Sequence, residues 1–272
     1  MKKLVYTLII ALSCFAAQAQ SIDERIGAAM NSSDYFGLYD IYHNAPKDSI
    51  NPFLEAYSRC LIGNRFNRPD ISIPAFDELL KTHSEQLDLN LLISSSVMYS
   101  MDLSRVGRNE DAHNLLSSVM TAAYQAVDSA SLAPFANMMA QYKALTRYAP
   151  YTVSFVGEKG VIPFDTIRTG KPESKQYLMR ITDAKINGTA AKITFDTGAG
   201  VNVITDSLAN VYGLERLDAG AAATGVATSA GSYTIAKELK LGNITVKDVP
   251  FYVIDISSHH EEADKYINTF EI

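Results

Sequence analysis

The chain has 272 residues, enough for one large domain or two modest ones. Hydrophobic residues at 47% and charged residues at 20% lie near the globular average, which excludes wholesale disorder. A net charge of −6 argues against a nucleic-acid partner, two cysteines exclude a disulfide-knit scaffold, and five histidines leave little room for a metal centre.

The first nineteen residues read as an export signal. Met1-Lys2-Lys3 is a basic start, and Leu4 to Phe15 is an apolar core too short to span a bilayer as a permanent helix. Ala17 and Ala19 then place small residues at the −3 and −1 positions of a signal-peptidase site, so that cleavage leaves Gln20 first. A rival reading takes Ala11-Leu12-Ser13-Cys14 as a lipoprotein box with Cys14 lipidated. Either way the expected destination is periplasmic or extracellular. No second long apolar run follows, so no transmembrane segment is expected.

From residue 20 to 148 the pattern is helical. Leu89, Leu91, Leu92, Val97, Met98 and Met101 recur at spacings of three to four, as do Ala112, Leu115, Leu116, Val119 and Met120. Gly63 and Gly107 each punctuate a pair of such runs. Phe53–Leu61 leads through a turn to Ile73–Leu80, and Leu89–Leu103 leads through Gly107-Arg108-Asn109 to Asp111–Val127. Ala75 and Ala112 occupy matching places 37 residues apart, which resembles the tetratricopeptide family of helix pairs, with its repeat of about 34. The Trp and Pro positions of that motif are absent, and a plain helical bundle is the competing architecture. The methionine and tyrosine stripes are core in either case.

Past Pro150 the period falls to two. Thr152–Val156 and Tyr177–Ile181 alternate, and Asn187-Gly188 is a type I′ hairpin signal because both residues tolerate positive φ. Lys192–Phe195 is the returning strand. Leu239–Leu241, Thr245–Val249 and Phe251–Ile254 read as further strands, with Gly242-Asn243 turning between them. Residues 152–272 are therefore expected to form an antiparallel β domain. The fold class is α+β in two domains, all-α then all-β.

One short stretch carries chemistry. Ile193–Phe195 is an apolar strand ending in Asp196, followed by Thr197-Gly198-Ala199-Gly200 and a second apolar strand through Ile204. A carboxylate at the mouth of an apolar sheet is costly unless it is hydrogen-bonded or shares a proton. Phe195-Asp196-Thr197-Gly198-Ala199 is similar to the active-site motif of retropepsin-like aspartic proteases. The likeness extends through Tyr177–Ile181, Ile186-Asn187-Gly188, Val203-Ile204-Thr205, Ala209 and Gly213-Leu214.

That resemblance implies a retropepsin-like barrel and assigns roles. Asp196 is the catalytic carboxylate, Thr197 braces two loops across a two-fold axis, and Gly198 and Ala199 let the backbone pass close to substrate. The chain holds one Asp-Thr-Gly, since Asp165-Thr166 is followed by Ile167, so the second aspartate of a dyad must come from another copy. The expected partners are a peptide or protein substrate and a second copy of the chain, with no metal and no cofactor. The best candidate for the family's flap is Gly225-Val226-Ala227-Thr228-Ser229-Ala230-Gly231, small-residue-rich as a mobile tip should be; a plain surface loop is the competing reading. The resemblance also implies a further strand ending in two apolar residues and a glycine. Tyr266–Ile272 is similar to its opening, so the domain is expected to be incomplete at its C-terminus, as a fragment or a degenerate relative.

Weaker signals have structural explanations. Gly198-Ala199-Gly200 lacks the third glycine of a dinucleotide loop, where Val203 stands. His259-His260-Glu261-Glu262 reads as a solvated turn, and the sequons at Asn187 and Asn243 read as turns. Two functions are left: an exported aspartic endopeptidase, or an inactive protease-like adaptor that binds peptides.

Overall fold

The computed structural model describes residues 20–123, 129–148, 152–169, 176–197, 199–224 and 228–253. Residues 1–19 with Cys14, Gly198, the segment 225–227, His259–Glu262 and Tyr266–Ile272 lie outside these. Helices occupy the N-terminal half and a mostly antiparallel sheet the C-terminal half.

Each early helix starts where a polar side chain meets a free backbone N–H. Helix α1 (Ile22–Asn31) opens on a capping box, in which Glu24 N–H donates to Ser21 Oγ at 3.2 Å and Ser21 N–H to Glu24 Oε2 at 2.8 Å. Helix α2 (Tyr35–Asn44) is capped by Asp34, and α3 (Pro52–Arg65) by Asn51 with proline in its first turn. Then follow α4 (Pro69–Thr82), α5 (Leu89–Arg105), α6 (Asn109–Ala123) and α7 (Ser129–Leu145).

By compactness the chain divides between Asp102 and Leu103. In the first unit Ile26, Leu38, Ala56, Cys60, Phe76 and Leu79 are fully buried. Asp102, also fully buried, accepts from Ser72 Oγ at 2.6 Å and Asn64 Nδ2 at 3.1 Å, so its buried oxygen is hydrogen-bonded. Gly63 is not the turn residue its sequence position suggested. It lies inside α3, where a Cβ would stand 2.5 Å from the Ser72 backbone nitrogen, so its role is to let α3 and α4 approach. The turn itself falls at residues 66–68: Asn67 takes the left-handed conformation (φ 52°), and Arg68 N–H donates to Gly63 O at 2.7 Å.

The turn between α5 and α6 repeats this device. Gly107 has φ 77°, and Arg108 N–H donates to Leu103 O at 2.8 Å. These two turns lie 40 positions apart, whereas Ala75 and Ala112 lie 37 apart. Ser72 and Phe76 in α4, like Ala112 and Leu116 in α6, are the buried residues of the fourth and eighth helical positions.

The second unit holds α6, α7 and the sheet. Its strands are β1 (Thr152–Phe155), β2 (Phe164–Thr169), β3 (Gln176–Ile186), β4 (Thr189–Phe195), β5 (Val203–Ile204), β6 (Glu215–Thr224), β7 (Thr228–Leu241) and β8 (Ile244–Val253), with helix α8 (Asp206–Val211) after β5. The order is β1-β8-β7-β3-β2, with β4 on β3, β6 on β7, and β5 parallel to β8. Asp165 is the second residue of β2, 3.6 Å from Arg180. One core forms from Ile186, Ile204, Tyr212, Leu214, Leu239, Val249 and Phe251. A second joins Ala144 and Leu145 of α7 to Leu217, Tyr233 and Ile235 of the sheet. The change of sequence period near 150 and the change of packing at 102 are thus different boundaries.

Candidate active site

The site grows from one hairpin. Asn187 (φ 49°) and Gly188 (φ 82°) turn β3 into β4, pairing Ile186 with Thr189. The Asn187 side chain also fixes that turn to its surroundings, donating to Tyr212 O at 2.9 Å and accepting from Glu238 N–H at 3.1 Å. Strand β4 then runs along β3, with Ile193 opposite buried Ile181 and Phe195 opposite Met179. Asp196 is the first residue past its end.

Asp196, Thr197, Ala199 and Gly200 are all exposed in one loop, and Ala199 N–H donates to Asp196 O at 3.2 Å across the turn. The far end of the loop is fastened to β8. Tyr252 N–H donates to Asn202 O at 2.8 Å, and Asn202 Nδ2 donates to Pro250 O at 3.1 Å. Next, Val203 and Ile204 pair with Tyr252 and Val253, burying Ile204 at 2% exposure. Thr205 caps α8 by accepting from Leu208 N–H at 3.4 Å, and buried Tyr212 and Leu214 flank the Gly213 turn (φ 59°). The Asp196 loop is thus fastened to sheet at both ends, with the Asp196 residue left exposed.

Four of the residues named as flap lie in one hairpin. Thr228, Ser229, Ala230 and Gly231 are the first residues of β7, paired with Thr224, Ala223, Ala222 and Ala221 of β6, while Gly225, Val226 and Ala227 lie outside the described residues. Thr228 to Gly231 thus belong to the β6–β7 hairpin. Asn202 escaped sequence reasoning; its one signal was a polar side chain between Val201 and Val203 in an otherwise apolar run.

Residues 182–262 match the sequence model of the family described as gag-polyprotein putative aspartyl protease. This stretch is similar to an aspartyl protease domain. It takes in the second half of β3, β4, the Asp196 loop and the strands β5 to β8. No curated protein and no solved structure matches the chain. Among the described residues no helix of the protease-like domain or of the preceding half is long and apolar enough to cross a membrane.

Proposed function

We propose that the protein is an exported aspartic endopeptidase whose active form is a homodimer. The carrying observation is Asp196: it stands exposed directly after β4, in a loop tied to β8, inside the aspartyl protease-like span. With one Asp-Thr-Gly per chain, the dyad needs Asp196 from two copies. Two carboxylates so close share one proton, because both cannot ionise cheaply. The ionised member takes a proton from water as that water's oxygen attacks the peptide carbonyl carbon. The protonated member gives its proton to the carbonyl oxygen, leaving a neutral tetrahedral diol. As the C–N bond breaks, the first carboxyl gives its proton to the leaving amine and the second takes one from a diol hydroxyl, whose oxygen becomes the new carbonyl, so the dyad is restored.

In this reading Thr197 braces the two loops across the two-fold axis, Gly198 and Ala199 give substrate close access to backbone, and the hairpin tip at residues 225–231 closes over the peptide. Residues 1–19 direct export and are cut after Ala19, with lipidation at Cys14 as the variant route. The repeated helix–turn–helix at Asn67 and Gly107 supports a tetratricopeptide-like helical region that presents partners or substrate.

Asp196→Asn tests the reading. Peptide cleavage at mildly acidic pH is expected to fall at least about a thousandfold, since the variant cannot form the shared-proton dyad. Specific activity is expected to rise with protein concentration as dimers form. Undiminished cleavage by the variant, or no cleavage by a dimeric wild type, leaves the protease-like domain as a peptide-binding adaptor.

A further inference from the structure

The β6–β7 hairpin loses its register at one place. Arg216 pairs with Thr234 and Gly220 with Ser232, so Leu217, Asp218 and Ala219 face the single residue Tyr233. Such a bulge bends the ladder and divides it into a base and a distal part. The base carries Glu215 opposite Ile235, and the distal part runs from Gly220 opposite Ser232 to Thr224 opposite Thr228.

Helix α7 grips the hairpin at this bulge. Leu217 and Tyr233, 5% and 2% exposed, pack with Ala144 and Leu145. The Tyr233 hydroxyl donates to Gln141 Oε1 at 2.6 Å. Tyr252 on β8 reaches the same oxygen at 3.5 Å, its ring 4.2 Å from that of Tyr233. Tyr252 is also the residue whose backbone N–H holds Asn202 at the end of the Asp196 loop. One side-chain oxygen on the helix therefore serves both the hairpin and the strand that anchors the loop. A second tether lies lower, where the Tyr148 hydroxyl donates to Glu215 at 2.9 Å.

We propose that Tyr233 and Gln141 are positioning residues: they latch the hairpin to α7 at its bulge and so set where the distal hairpin lies relative to the Asp196 loop. What the hairpin does once positioned rests on the protease reading above; how it is held does not. Helix α7 is in this way a working part of the protease-like half, and a partner that shifts α7 shifts the flap.

The test uses the full chain with Tyr233→Phe and, separately, Gln141→Met, two near-isosteric changes that each remove the bond. Peptide-resolved hydrogen exchange is expected to quicken about tenfold between Gly220 and Ser232, the factor that one lost buried hydrogen bond allows, with β3 and β4 unchanged. Unchanged exchange in the hairpin, or an equal rise across the sheet, overturns the latch. In peptide cleavage the same variants are expected to raise KM several-fold and leave kcat within about twofold, as misplaced binding elements do. Unaltered KM overturns the positioning role. If the wild type cleaves nothing, the protease reading falls and the flap role with it, while the exchange result still decides the latch.

Discussion

At the level of single residues, tolerance follows the nearest atom. Gly63 looked like turn punctuation in the sequence because Asn64 and Asn67 follow it, and only the approach of α4 reveals its purpose. Gly63→Ala would drive a methyl against the backbone at Ser72, which cannot rotate away as a side chain would. The expected cost is about 1–3 kcal/mol in urea denaturation of the intact chain, against a gain in helix propensity of under about 1 kcal/mol. Glu55 shows the electrostatic counterpart. Burial opposes its ionisation, but hydrogen bonds from Arg59 (2.8 Å) and Tyr42 (2.8 Å) outweigh burial and hold the carboxyl below its ordinary range. A lowered folded-state value means the contribution is complete above the unfolded carboxylate range and is lost as pH falls through the folded one. Glu55→Gln should therefore destabilise at neutral pH by roughly 0.5–1 kcal/mol, since the pair is partly solvated. The gap to wild type should close below about pH 4; a gap that persists at low pH would show the effect to be packing alone.

At the level of elements, what periodicity and turn chemistry encode was legible, and what packing decides was not. The Asn187-Gly188 hairpin stands where its two positive-φ residues put it, and the helical stretch starts at its Ser21 cap. Strand β6 went unread because Asp218-Ala219-Gly220-Ala221-Ala222-Ala223 has almost no β propensity; pairing with β7 makes it a strand. Helix α8 is too short for a period to register. The place of Asp196 at the end of β4 was legible because its motif is local, whereas Asn202, Gln141 and Tyr233 bond to partners far along the chain. Aligning Ala75 with Ala112 gives 37 positions and aligning the two turns gives 40, since alanine alignment ignores which residue closes the turn. Asn67 and Gly107 fill the same left-handed position, so Gly107→Asn should cost well under 1 kcal/mol. Gly107→Val should cost about 1–2 kcal/mol, because a β-branched residue at φ 77° crowds the following carbonyl. Urea midpoints for the pair check the equivalence: equal losses would mean the turns are not the same.

At the level of the whole molecule, sequence period and packing disagree about where the second unit begins. Period changes near 150, yet Ala144 and Leu145 belong to the same core as Leu217, Tyr233 and Ile235, and His113 Nδ1 lies 3.0 Å from Met139 O, joining α6 to α7. A fragment starting at Val106 keeps this arrangement. One starting at Thr152 bares Leu217, Tyr233 and Ile235, now 5%, 2% and 0% exposed. Uncovering the two aliphatic side chains alone costs about 2 kcal/mol each. Tyr233 loses its ring packing and its hydroxyl partner as well. Set against a usual domain stability of about 5–15 kcal/mol, that loss leaves little margin. The fragment 106–272 is therefore expected to unfold in one cooperative urea transition followed by circular dichroism. The fragment 152–272 is expected to aggregate or to melt without a sharp transition. Equal midpoints and slopes for the two fragments would show that α6 and α7 merely lean on the sheet, and would return the boundary to residue 150.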